Sequence, residues 1–121
     1  MSLVAIVDDD DSIRSALSRL VRTIGYRSIA FDSAEALLQR LEEVRPSCVL
    51  TDVQMPGMSG LELTKVLRER EPDLPVAVMT AYPVTASRER AMAAGATEYL
   101  TKPFDENDLE RWLLRVIKPA E

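Results

Sequence analysis

Histidine is absent from all 121 residues, and no other gap in the composition excludes as much chemistry. Without it the chain has no Ser-His or Cys-His pair, no imidazole-ligated metal site and no histidine able to carry a phosphoryl group. Cysteine is nearly absent too. Cys48 stands alone, which rules out an internal disulfide and any zinc signature, and its ordinary reading is a small hydrophobe in a buried strand. No apolar run approaches the roughly 18 residues a membrane span needs, and no signal-peptide pattern opens the chain, so a cytoplasmic protein without membrane contact is expected. Positive charge is not in excess: 15 Lys and Arg stand against 20 Asp and Glu, a formal charge of −5. That balance argues against direct nucleic-acid binding by this domain. Linkers, internal repeats and low-complexity tracts are missing as well. What is left, 46% hydrophobic and 29% charged residues, is the make-up of one soluble globular domain.

Short apolar runs alternate with amphipathic stretches along the whole chain. Leu3 to Val7 is too short for a helix, β-branched and without alternation, which describes a strand covered on both faces. After Asp8 to Asp11, residues Ile13, Ala16, Leu17, Leu20, Val21 and Ile24 recur at helical spacing, and Gly25 supplies the stop. Arg27 to Phe31 is a more mixed strand. Asp32 or Ser33 caps the next helix, with Glu35 placed for a capping box on Asp32 and Leu37, Leu38, Leu41 and Val44 as its stripe. Pro46 breaks that helix and Cys48 to Asp52 is the third strand. Ser59 with Glu62 forms another capping box, ahead of Leu63, Val66 and Leu67.

Val76 to Thr80 is the fourth strand. An Ala-rich helix over roughly Thr85 to Ala94 follows, with a stripe of little more than Ala91 and Met92, so it should be the least firmly held. Thr97 to Thr101 is the fifth strand. Phe104, an Asp105 cap and Leu109 match a hydrophobic staple. They open a helix on Leu109, Trp112, Leu113, Val116 and Ile117, where Trp112 reads as packing. Five βα units demand a doubly wound parallel α/β sheet with right-handed crossovers. The uniformly apolar first, third and fourth strands belong in its centre, which the order 2-1-3-4-5 satisfies with a switch point between the first and third strands.

Polar residues end these strands where ligands bind in such sheets: Asp8 and Asp9, Asp52, Thr80 and Lys102. Each has an ordinary reading by itself. Asp8 to Asp11 is a helix start favoured by the macrodipole, Thr80 a strand-end hydroxyl, and Lys102-Pro103 a turn before a helix. Together, at the carboxyl edge of one parallel sheet, they form a crevice with three carboxylates. Two unit charges about 4 Å apart cost roughly 4 kcal/mol at an effective dielectric near 20, and Lys102 is one charge against three. A histidine-free, all-oxygen site of this kind suits Mg²⁺ or Mn²⁺. With a divalent ion, a free carboxylate, a lysine and a threonine form a kit for phosphoryl transfer, Asp52 being the best nucleophile and Asp8 and Asp9 serving the metal.

Val7-Asp8-Asp9, Thr51-Asp52-Val53 with Met55 to Gly60, Thr80-Ala81 and Lys102-Pro103-Phe104 resemble, in type, order and spacing, the receiver domains of two-component response regulators, the CheY-like family. The likeness covers residues 1–121, and because that family has the 2-1-3-4-5 order, the two arguments for the order are not independent. The resemblance implies that Asp52 accepts a phosphoryl group from a sensor histidine kinase. It also implies that Asp9, Asp52 and the backbone carbonyl of Gln54 ligate Mg²⁺ directly, with Asp8 acting through water. Thr80 and Lys102 would hold the phosphoryl group, Tyr99 would follow Thr80 as an aromatic switch, and the Lys102-Pro103 bond would be cis. Gln54 and Tyr82 would flank an attacking water, and since neither is a strong base, autodephosphorylation should not be especially fast.

A homodimer or an output domain would meet the face of the fourth helix, fifth strand and fifth helix. The details of Met55 to Gly60 and Lys102 to Phe104 look most like receivers that precede LuxR-type helix-turn-helix domains. An output domain beyond residue 121 and control of transcription are expected on that basis. Two rivals remain at this point. A small Mg²⁺-dependent phosphohydrolase would need a second acid/base carboxylate where Gln54 stands. A phosphorylation-independent interaction module would not need Asp8, Asp9, Asp52, Thr80 and Lys102 intact. Flavin binding is disfavoured, since the chain has no phosphate-cradling loop.

Overall fold

In the computed structural model, which describes residues 2–80, 87–102 and 106–117, strands and helices alternate from one end to the other. The elements are β1 (Leu3–Val7), α1 (Asp11–Ile24), β2 (Arg27–Phe31), α2 (Ala34–Val44), β3 (Cys48–Asp52), α3 (Gly60–Arg70), β4 (Val76–Thr80), α4 (Ser87–Ala93), β5 (Glu98–Thr101) and α5 (Glu106–Val116). The sheet is parallel throughout, in the order β2-β1-β3-β4-β5, as the apolarity of the central strands requires. β1 shows why both of its faces must be apolar. Val4 and Ile6 join Leu17, Val21, Leu50, Leu109, Trp112 and Leu113 beneath α1 and α5. Ala5 and Val7 turn the other way, to Leu37, Leu41, Leu63 and Leu67 of α2 and α3. Cys48 is buried, as read from its run, and burial pushes its thiol up to about 12.

Local chemistry sets the helix ends. Gly25 closes α1 in the left-handed conformation, and Ser59 with Glu62 makes the expected capping box on α3. α2 differs from expectation. Ser33 is its cap, accepting the Ala36 N–H, and Glu35 makes no capping box with Asp32. Its carboxylate instead accepts the Met58 N–H at 3.1 Å, across 23 residues. Two residues assigned to inner stripes face out: Ala16 on α1 is exposed, and so is Met92 on α4. The fifth strand begins at Glu98, one residue later than expected. α4 is described from Ser87; the Thr85 start, Tyr82, Phe104, the Asp105 cap and the Lys102-Pro103 bond lie outside the described residues.

α4 is seated on β4 and β5 through a small cluster, Val78, Ala91, Ala96 and Tyr99, with Val53 and Leu61 against it. Its carboxyl end has a second attachment. The Arg68 guanidinium of α3 donates from Nε and Nη2 to the Gly95 carbonyl, at 3.1 and 2.6 Å, and from Nη1 to the Pro72 carbonyl at 2.6 Å.

Gly60 begins α3 where the helix comes closest to β3. Its N–H bonds the Val53 carbonyl at 2.9 Å, and a Cβ there would run into the Asp52 carbonyl oxygen and lie 3.0 Å from the Val53 Cα. Backbone cannot yield as a side chain can, so Gly60→Ala should cost about 1–3 kcal/mol. A urea midpoint equal to that of the wild type would contradict this packing.

Candidate metal and phosphoacceptor site

The run Asp8 to Asp11 divides its labour. Asp10 caps α1, accepting the N–H groups of Ser12 and Ile13 at 2.9 and 3.2 Å. Asp11 sits in the first helical turn and pairs with Arg14. The ordinary reading of a helix start therefore holds for these two. Asp8 and Asp9 precede the cap and turn into the crevice. Asp8 is only 1% exposed; its N–H bonds the Phe31 carbonyl and its Oδ1 accepts the Asp10 N–H at 2.9 Å. Asp52 ends β3. One ligand oxygen from each of Asp8, Asp9 and Asp52 can be chosen so that all three lie within 4.8 Å of one another.

Lys102 enters from beyond β5. Its N–H bonds the Thr80 carbonyl at 2.7 Å, which sets the side chain beside the ends of β1 and β3. The ammonium donates to Asp8 Oδ2 at 3.0 Å and to Asp52 Oδ1 at 3.1 Å. The cleft, about 240 Å³, is lined by Asp8, Asp9, Asp10, Ile13, Asp52, Gln54, Thr80 and Lys102. A larger hollow of about 440 Å³ lies between Leu41, Glu42, Arg45, Pro46, Glu71 and Leu74. It gathers no acidic cluster, so size does not single out the site; the chemistry of the lining does. Tyr99 is buried in the α4 cluster and does not line the cleft.

One contributor escaped the sequence reading. Arg14 Nη1 donates to the Asp8 backbone carbonyl at 2.7 Å, with a side chain only 18% exposed. It places a second cation behind the acidic loop. The available signal was its position, since a cation in the first turn of a helix opposes the macrodipole and calls for a compensating contact.

Even so, the Asp52 carboxylate is under-compensated. Burial raises the Asp52 carboxyl above its ordinary value, Lys102 pulls it back through charge and hydrogen bond, and Asp8 and Asp9 raise it again. For Lys102, burial works to lower the ammonium's affinity for its proton but is outweighed by the Asp8 hydrogen bond and the Asp52 charge, so the net direction is up. A hard cation offered oxygen ligands fits this donor set, which contains no imidazole or thiolate and favours Mg²⁺ or Mn²⁺ over zinc.

The described chain is similar to known proteins over nearly its whole length. Residues 4–113 match the family described as response regulator receiver domain. The response regulator protein FleR of Pseudomonas aeruginosa is 44% identical over 106 residues, 88% of this chain and 22% of that protein. The transcriptional regulatory protein FixJ of Bradyrhizobium diazoefficiens is 33% identical over 118 residues, 98% of this chain and 58% of that protein. The chain thus spans well under two-thirds of these curated relatives. Among solved structures, the chemotaxis protein CheY4 of Vibrio cholerae superposes with a TM-score of 0.89 at 30% identity, over 97% of this chain and 99% of that one. FixJ-N gives 0.87 at 32% identity, over 96% and 93%. Among the described residues no helix is long and apolar enough to cross a membrane.

The raised Asp52 carboxyl has a consequence for stability. The folded state holds that proton more tightly than the unfolded chain, so Asp52 favours folding in acid and this contribution is withdrawn as pH rises through the raised value. Lys102, raised from 10.5, contributes in full below that value and loses its contribution only in stronger alkali. Asp52→Asn should therefore stabilise the metal-free chain at neutral pH. The gain should shrink toward zero as pH falls to the ordinary aspartate value of 3.8. Urea denaturation at the two pH values reads both, and an Asn variant less stable at neutral pH contradicts an under-compensated Asp52.

Proposed function

This chain belongs to the response regulator receiver family, part of two-component signal transduction, and we propose that within it Asp52 is the residue that accepts the phosphoryl group. The observation that carries the reading is the meeting of Asp8, Asp9 and Asp52 within 4.8 Å around an ammonium shared at 3.0 and 3.1 Å. The donor in this reading is a phosphohistidine of a sensor histidine kinase, the partner that receiver domains of two-component systems work with. An Asp52 carboxylate oxygen bonds phosphorus while the donor's P–N bond breaks and its electron pair returns to the imidazole. Asp9, Asp52 and the Gln54 backbone carbonyl would hold Mg²⁺ directly, and Asp8 would act through water. The ion, when bound, offsets the charge of the carboxylates and of the incoming phosphoryl oxygens.

In this reading Lys102 exchanges its hold on Asp52 for a phosphoryl oxygen, and the Thr80 hydroxyl donates to another. Phosphorylation adds about two negative charges beside β4 and β5. Thr80 moves toward them and Tyr99, which shares a cluster with Ala91 of α4, takes the vacated space. The face of α4, β5 and α5 then changes for a second copy or an output domain. Glu98 of β5 ties that face together, with Arg115 of α5 at 2.8 Å and Arg88 of α4 at 4.0 Å.

Control of transcription through an attached DNA-binding domain in the cytoplasm is the output we infer. Support comes from relatives described as DNA-binding transcriptional regulator NtrC, 40% identical over 114 residues in Proteus hauseri, and as transcriptional regulatory protein FixJ. The narrower expectation of a LuxR-type output is not supported, because FleR and NtrC relatives stand beside FixJ.

Incubation with acetyl phosphate and Mg²⁺ should add one phosphoryl group to the wild-type chain, read by intact mass, and none to Asp52→Ala. No gain by the wild type, or an equal gain by the variant, would sink the assignment. The lifetime of the phosphorylated form should shift in Gln54→Ala or Tyr82→Ala, the two positions taken to flank the attacking water. A lifetime unchanged in both removes them from hydrolysis.

A further inference from the structure

The loop from Val53 to Ser59 joins β3 to α3 and carries Gln54. Its ends are fixed by backbone: Val53 N–H bonds the Met79 carbonyl and Gly60 N–H the Val53 carbonyl, both at 2.9 Å, while Ser59 belongs to the capping box. Met55 and Met58 rest against the core under α2 and α3. Among the described residues, the hydrogen bond tying the middle of the loop to another element is the one from Met58 N–H to Glu35 Oε2, 3.1 Å. The fit is close. Gly57 has φ +77°, and a Cβ on it would lie 2.8 Å from that same Glu35 oxygen.

We propose that Glu35 is a positioning residue for the divalent cation: through the Met58 N–H it holds the β3–α3 loop so that the Gln54 carbonyl stays at the acidic cleft. Glu35 itself does not line that cleft. The proposal rests on the reading of Asp9, Asp52 and Gln54 as metal ligands. Residues that orient a ligand from behind commonly change metal affinity by tenfold or more when removed. A glutamine retains a carbonyl oxygen that can accept the Met58 N–H but carries no charge, and an alanine retains neither.

The test is a Mg²⁺ titration followed by melting temperature in the wild type, Glu35→Gln, Glu35→Ala and Asp9→Asn, with amide exchange at Met58 measured without metal. Mg²⁺ should raise the melting temperature of the wild type and of Glu35→Gln over the same concentration range. Glu35→Ala should need about tenfold more Mg²⁺ for the same rise, and its Met58 amide should exchange faster. Asp9→Asn should respond weakly or not at all. Glu35→Ala responding like the wild type overturns the proposal. So does equal weakening by Gln and Ala, which would make the effect one of charge. A wild type that gains nothing from Mg²⁺, or an Asp9→Asn that gains as much as the wild type, overturns the ligand reading and the proposal with it.

Discussion

A single ammonium group joins three of the five strands. Lys102 follows β5, Asp8 follows β1 and Asp52 ends β3, and the salt bridges at 3.0 and 3.1 Å span them at the carboxyl edge of the sheet. Asp8 is almost completely withdrawn from water, where an unpaired carboxylate would be costly. The rest of the site follows from that constraint. The backbone of Lys102 is set by the Thr80 carbonyl, Arg14 braces the Asp8 carbonyl from behind, and Asp10 takes over the capping of α1 so that Asp8 and Asp9 are free to face the cleft.

The sheet makes this convergence possible. In a parallel sheet all carboxyl ends lie on one edge, so residues distant in sequence meet there without any dedicated contact between their helices. Covering both faces with helices demands strands that are apolar throughout. That leaves the strand ends as the place where charge can stand. Fold and site are two results of the same patterning.

This is also why so much could be read from the residues. The boundaries of β1, β3 and β4 follow from runs of apolar residues that stop at a polar one, and the acidic cluster follows from where those runs stop. Failures came where periodicity carries less information. Ala16 and Met92 fit a helical stripe by spacing, yet an alanine gives little area to bury and an unbranched methionine adapts to either side. Glu35 matched a capping box by distance along the chain, but a partner 23 residues away won it. Arg14 was missed differently, since its bond to a carbonyl six residues back follows none of the spacings that mark a cap. Contacts across the fold leave no local pattern, whereas caps and stripes do.

The grip of Arg68 on the Gly95 carbonyl bears on how α4 can respond. Two guanidinium nitrogens hold the carboxyl end of that helix to α3 at 2.6 and 3.1 Å, whereas the Arg88 guanidinium near its amino end lies 4.0 Å from Glu98. The carboxyl end of α4 is thus held by side-chain hydrogen bonds to α3 as well as by the Ala91 cluster on β4 and β5, while among the described residues its amino end has the longer ion pair to β5.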